Sequence, residues 1–301
     1  MFVWFKISLL SFGGPAGQIA VMHRLLVEEL KWVSEKRFLH ALNFCMLLPG
    51  PEAQQLTIYL GWLLHRVRGG VVAGTLFVLP GALTVLVLSI IYVTYQQEML
   101  VSSIFFGVKA AVLAIVTTAL WRLARKILRK KLLIGITIAA FLASFVFAVP
   151  FPIVIVGAAL ATYFFGEASV QTARSDEEGE TRIIDSWVAA GGSPKPHRAF
   201  LVAAICAFLW LAPIAVLYGW LGAGHVYVQE AMFFSKMAVV TFGGAYAVLS
   251  YMAQQTVGHY GWISAGEMLD GLGMAETTPG PLIMVTQFVG FIAAYHSPGT
   301  L

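Results

Sequence analysis

Nine predominantly apolar runs follow one another along the chain, near residues 2–22, 41–63, 71–95, 101–121, 132–149, 151–165, 199–220, 231–252 and 271–294. A helix needs about 20 mostly apolar residues to cross the hydrocarbon of a bilayer, so each run is predicted to be a membrane segment. The fifth and sixth are short, with "VPFP" (149–152) as the turn between them. Only 11% of the residues are charged, against about 25% in a soluble domain. The predicted fold is an all-α, polytopic membrane helix bundle. The formal net charge of +4 is clustered in "RLARKILRKK" (122–131), beside an apolar run. It reads as a topology signal and not as a nucleic-acid face. No basic region, apolar core and cleavage site open the chain, so targeting is expected to fall to the first segment.

Two further stretches are polar. "HRLLVEELKWVSEKRFLH" (23–40) mixes apolar and charged residues and is expected to be an interfacial amphipathic helix or a helical loop. Residues 166–198 are charged and rich in Gly and Pro, as in a solvated linker. Lys and Arg set the orientation. With 122–131, Arg66 and Arg68 cytoplasmic and "QQEML" (96–100) outside, the N-terminus is cytoplasmic and the 23–40 loop is external. That loop's Arg24, Lys31, Lys36 and Arg37 sit badly with this placement. A re-entrant second segment would reverse it.

The chain also resembles itself at an offset of 230 residues: Lys6 aligns with Lys236, "FGG" at 12–14 with "FGG" at 242–244, Trp32 with Trp262, and "PGP" at 49–51 with "PGP" at 279–281. Common leucines could coincide in any two membrane segments, but two rare motifs and a tryptophan in one register indicate a repeat. Seven segments separate equivalent positions, so the copies are expected to enter the membrane in opposite senses, an inverted-topology repeat. The predicted organisation is a first repeat over 1–165, a cytoplasmic linker over 166–198, a linker helix and external loop over 199–230, and a second repeat over 231–301. The second copy has 11 residues after Gly290 where the first runs on for more than 100 after Gly61. It is expected to be incomplete, the chain appearing truncated.

Proline lacks an N–H and clashes with the preceding turn, and glycine removes the steric bias toward helix. Pro49, Gly50 and Pro51, and Pro279, Gly280 and Pro281, are therefore expected to interrupt their segments. Broken backbone at membrane depth must be buried in protein or line a wet cavity, and the N-terminal end of a half-helix suits an anion. Gln54, Gln55, Thr278 and Gln287 stand near these breaks as hydrogen-bond donors, with Thr277 beside them. The alternative is that they join helices; their repetition around two breaks favours a binding site. Glu52 and Glu276 flank the breaks and are candidates for proton coupling, with a structural ion pair as the alternative. Lys6 and Lys236 occupy one repeat-equivalent position before "FGG" and could supply positive charge; Lys109 is a third, weaker cation. Pro80 and Gly81 are expected to kink the third segment. His23, His40, His65 and His259 cluster near segment ends and lack metal-ligand spacing. Cys45 and Cys206 are read as small buried hydrophobes. No metal and no cofactor are expected.

"SFGGPAGQIAVMH", "LLPGPEAQQLTIYLGW", "FVLPGAL", "FGGAYAVL" and "GLGMAETTPGPLIMVTQFVGF" resemble the chromate ion transporter family across most of the chain outside 166–198. The resemblance implies a two-domain member with homologous, oppositely oriented halves, acting in bacterial chromate efflux across the inner membrane. It implies functional roles for Phe12, Gly13, Gly14, Pro49, Gly50, Pro51, Glu52, Gln54 and Gln55, and for Gly243, Gly244, Glu276, Thr278, Pro279, Gly280, Pro281 and Gln287. Chromate and sulfate are both tetrahedral dianions and both are associated with the family. The leading expectation is a proton-coupled chromate exporter, not an enzyme; the alternatives are a sulfate uptake permease, a membrane-embedded enzyme such as a chromate reductase, and a non-transporting scaffold. The bilayer, the oxyanion and protons are the expected partners, nucleic acid is not, and a homo-oligomer is left open.

Overall fold

The computed structural model describes residues 1–95, 98–128, 131–147, 149, 151–165, 196–241 and 245–297. Every regular element among them is helical. The chain divides into two compact units, Met1–Ser103 with Gly179–Leu301, and Ile104–Glu178.

The larger unit opens with α1 (Phe2–Leu10) and α2 (Gly14–His23), where a single segment over 2–22 is expected from the sequence. The break follows from Gly13 and Gly14, both at φ 75°, a left-handed conformation that glycine alone adopts without steric penalty. A π turn over Arg24–Glu29 comes next, and then α3 (Glu35–Met46). His23 ties them together through Glu28 at 3.0 Å and Glu35 at 2.6 Å. The 23–40 stretch is thus a π turn, a short loop and the start of α3, and not one interfacial helix.

Helix α4 (Glu52–Tyr95) folds back on itself at His65 and Arg66, where Arg66 adopts φ 56° and ψ −144°. Its two arms run antiparallel in close contact: a Cβ on Gly61 would stand 2.6 Å from Gly69 O, and one on Gly74 would stand 2.7 Å from Ile58 Cγ1. Small residues allow this approach. Helix α3 is antiparallel to the first arm in turn, since the rings of Phe44 and Tyr59 lie 5.7 Å apart on either side of the turn. The apolar run 41–63 is therefore no single crossing. It enters along α3, turns over Leu47–Pro51 and returns along the first arm. Consequently the loop before α3 and the bend at Arg66 lie at one end of this hairpin. The second arm passes Pro80 without leaving helical backbone angles. Ile7, Met22, Leu26, Phe38, Leu56 and Phe77 form the buried core where these helices meet.

The rest of this unit comprises α8 (Pro196–Leu221), α9 (Val226–Val240), α10 (Ala245–Ala253), a π turn over Gln254–His259, α11 (Ala265–Thr277), a 3-10 turn over Leu282–Met284 and α12 (Val285–His296). Here α9 and α10 stand where one segment over 231–252 is expected, and α11 and α12 where one over 271–294 is expected. The two π turns lie 230 residues apart, as do the left-handed residues Lys31 and Gly261. Trp32 N–H donates to Leu26 O and Trp262 N–H to Thr256 O, both at 2.8 Å. A capping box joins Ser264 and Glu267 at the start of α11, satisfying N–H groups that the first turn leaves without partners. Helices α11 and α12 run antiparallel, with Gly271 against Phe288 and His296 against Glu267.

The smaller unit holds most of α5 (Met99–Ile127), with α6 (Lys131–Phe145) and α7 (Phe151–Phe165). Large apolar side chains such as Leu113, Phe141 and Tyr163 are exposed here, as are Phe200, Leu209 and Trp220 on α8. Such surfaces suit contact with lipid. Among the described residues, Glu52–Tyr95 and Phe200–Leu221 are long and apolar enough to cross a membrane. Residues 166–195 of the expected linker, Arg129 and Lys130 of the basic stretch, and Pro150 of "VPFP" lie outside the described residues.

Candidate functional site: two crossed hairpin tips

Each Pro-Gly-Pro triplet forms the tip of a helical hairpin, one between α3 and α4, the other between α11 and α12. The central glycines take φ 123° (Gly50) and φ 104° (Gly280). Within each triplet glycine alone carries an N–H. Gly50 N–H donates to Thr241 O at 2.8 Å, and Gly280 N–H donates to Ser11 O at 3.2 Å. Ser11 and Thr241 are themselves 230 residues apart and end α1 and α9. The first hairpin tip is thereby docked on the end of α9 and the second on the end of α1. The C-terminal carbonyls of a helix have no partner within it, which leaves these two oxygens open to a glycine from outside. Their hydroxyls act alike as well: Ser11 Oγ donates to Ile7 O and Thr241 Oγ1 to Met237 O, both at 2.6 Å.

The second tip is held further by Gln18, only 2% exposed, whose Nε2 donates to Gly280 O at 2.8 Å. Gly81 on α4 lies against the same tip, so close that a Cβ there would stand 2.4 Å from Pro279 O. Gln287 Nε2 donates to Ala82 O at 2.9 Å, joining α12 to the second arm of α4. At the first tip Gln55 Nε2 donates to Pro49 O at 2.6 Å, and Gln54 Nε2 donates to Gly74 O at 3.2 Å. The glycine and glutamine N–H groups that the sequence offers to an anion are thus bonded to backbone carbonyls in this conformation. An apolar setting favours such pairing, because a polar group buried without a partner costs about 2–7 kcal/mol. The Oε1 atoms of Gln54 and Gln55 are buried without a hydrogen bond.

Pro49, Gly50, Pro51, Glu52 and Gln55 gather at the first tip, and Thr278, Pro279, Gly280 and Pro281 at the second. Glu52 is buried in the first turn of α4 and Glu276 in the last turn of α11. Phe12 and Gly13 are exposed beside Ser11. Lys6 and Lys236 are exposed on α1 and α9, turned away from the buried faces that hold Ile7 and Met237. Gly243 and Gly244 lie outside the described residues. Lys109 belongs to the smaller unit. Cys45 is buried but Cys206 is exposed on α8, where a buried residue is expected. An open groove of about 510 Å³ lies along the two arms of α4, lined by Gln54, Ile58, Gly70, Gly74 and Thr75 among others. Among the described residues no three His, Cys, Asp or Glu side chains are grouped to hold a metal ion.

Ser11, Gln18 and Thr241 escape a reading by residue type. The signal for Ser11 and Thr241 is position: both directly precede "FGG", at the repeat offset.

The sequence model of a chromate transporter family matches residues 1–163 and 228–301. A "Chromate transport protein" of Pseudomonas aeruginosa is 34% identical over 293 residues, 96% of this chain and 64% of the relative. A "Probable chromate transport protein" of Synechococcus elongatus is 29% identical over 96% of this chain and 67% of its own length. A "Chromate transport protein" of Cupriavidus metallidurans is 28% identical over 96% of this chain and 66% of its own length. The chain spans about two thirds of the length of these relatives. No solved structure matches it.

Proposed function

The chain belongs to the chromate transporter family, and from that premise we propose that it is a secondary transporter exporting chromate across the bacterial inner membrane in exchange for protons. The observation that carries this reading is the reciprocal pair of bonds from Gly50 to Thr241 and from Gly280 to Ser11. Reciprocal contacts are what a two-fold relation between copies produces.

The directions of the helices support an inverted relation. Gly280 abuts Gly81 and Phe288 meets Tyr92, so α12 runs along the second arm of α4 in the same sense. The repeat counterpart of α12 is the first arm of α4, which runs the opposite way. The two hairpins then enter the bilayer from opposite faces, as in other transporters built from inverted repeats. Arg24, Lys31, Lys36 and Arg37 gather with Arg66 and Arg68 at one end of the first hairpin. The positive-inside rule puts that end in the cytoplasm and moves the 23–40 loop from outside to inside.

In the docked conformation the tip amides are satisfied by carbonyls. When a tip parts from its dock, Gly50 or Gly280 N–H and the Gln54, Gln55 and Gln287 amides can exchange those carbonyls for oxygens of a tetrahedral dianion. Thr278 lies at the second tip, and the helix starts at Glu52 and Leu282 add partial positive charge. Glu52 and Glu276 are the carboxylates nearest the tips in sequence. Phe12, Gly13 and Gly14 form the continuation of the first dock, Gly243 and Gly244 are the counterparts of Gly13 and Gly14 in sequence, and Lys6 and Lys236 serve the approach to the docks.

Inverted sealed vesicles test the proposal. The chain should accumulate chromate, and Gln54→Ala and Gly280→Leu should abolish accumulation while leaving the protein inserted. Unchanged accumulation in both variants contradicts the site. Chromate consumed without a gradient would indicate an enzyme, and neither outcome a scaffold. Competition by sulfate on the chromate signal distinguishes the two dianions.

A further inference from the structure

Away from the tips, α11 carries a second acid of unusual placement. Asp270 is 2% exposed in the middle of the helix, and its Oδ2 accepts a hydrogen bond from Tyr92 Oη at 2.9 Å. Tyr92 lies near the end of the second arm of α4, with its ring edge-on to Phe288 of α12 at 5.4 Å. One turn before Asp270 on the same face of α11 is Glu267, which is 3.3 Å from His296 Nε2. The His296 side chain is 40% exposed and that of Glu267 14%. Titratable groups from three elements therefore run from the surface inward: His296 of α12, Glu267 and Asp270 of α11, and Tyr92 of α4.

We infer that Asp270, held by Tyr92, is the proton-carrying group that couples movement of the second hairpin to the proton gradient, reached from the surface through His296 and Glu267. This deepens the proton-coupled reading above and rests on it. Buried acids in membrane segments are retained at a cost and commonly mark proton paths. The mechanical link follows from the bond itself. A hydroxyl donating to a carboxylate makes a charge-assisted bond, roughly twice as strong as a neutral one. Protonation of Asp270 removes the charge and weakens the clamp between α11 and α4. Because Gly81 of the same arm seats the second tip, a looser clamp frees that tip from Gly81 and Ser11. The repeat equivalent of Asp270 is His40, which is exposed, so the device belongs to one hairpin only.

Purified protein in proteoliposomes separates this role from folding and from anion binding. Two quantities are measured with labelled chromate: accumulation driven by an imposed pH gradient, and exchange with chromate at equal concentration on both sides. Asp270→Asn should lower accumulation at least about tenfold and leave exchange within about twofold of the unaltered chain. Tyr92→Phe keeps the ring against Phe288 and removes only the hydroxyl; it should lower accumulation several-fold, also sparing exchange. The inference is overturned if Asp270→Asn keeps its accumulation, or if Tyr92→Phe loses exchange in the same proportion as accumulation. If the unaltered chain exchanges chromate but ignores the pH gradient, the proton-coupled part of the proposed function fails as well.

Discussion

Gly81→Val is expected to abolish chromate accumulation in sealed vesicles while the protein remains inserted. A Cβ at Gly81 would stand 2.4 Å from Pro279 O and 3.4 Å from Gly280 Cα. Both are backbone atoms, so no side chain can turn aside to make room. The tip has to withdraw, and with it the bonds that Gly280 makes to Ser11 and Gln18. Overpacking of this kind costs about 1–3 kcal/mol, and each lost hydrogen bond adds roughly 1 kcal/mol. Since 1.4 kcal/mol is about a factor of ten in an equilibrium, a docked conformation that transport must revisit becomes rare. Gly107→Ala on α5 is the control, because nothing lies within 4 Å of a Cβ there; accumulation should be unchanged. Normal accumulation by Gly81→Val would mean that the second tip need not dock on α4.

Gly69→Val should have a still larger effect, on folding and not on transport alone. A Cβ at Gly69 would stand 2.1 Å from Gly61 O, and one at Gly61 would meet Ala73 Cβ at 2.6 Å. The close approach of the two arms of α4 thus depends on bare backbone on both sides. Valine at 69 should force the arms apart at a cost at or above the usual overpacking range of about 1–3 kcal/mol. The expected results are loss of a monodisperse peak in detergent, a lower unfolding temperature, and trypsin cleavage at Arg66 or Arg68. A variant that elutes and melts like the unaltered chain would show that the arms are not packed in this way.

The helical class was legible because no apolar run holds more than one charged residue over the length a helix needs. The number of crossings was not. Hydropathy measures apolar length along the chain, and the run 41–63 is equally apolar whether it crosses once or folds back at Gly50. The relevant signal was the pair of prolines around that glycine, which removes two N–H groups and leaves one donor. The π turns had no periodic signature to betray either of them, yet the repeat register would place the second once the first is known. At the tips the residue types were readable and their partners were not. Gln54 and Gln287 are donors in any reading, but that they reach Gly74 O and Ala82 O depends on how the arms of α4 register against their neighbours. Likewise Asp270 looks in sequence like one acid among three in α11; only its burial and its bond to Tyr92 set it apart.

In the proposed function two hairpins enter from opposite faces and exchange docks. Site-directed labelling tests it most directly. With Cys45 and Cys206 replaced by alanine, single cysteines are introduced at Lys31, Arg66, Gly261 and Ser297 and exposed to a membrane-impermeant maleimide in sealed vesicles of known orientation. Positions 31 and 66 should label from one face of the membrane, and 261 and 297 from the other. Labelling of 31 and 66 from opposite faces, or of all four positions from the same face, would contradict it.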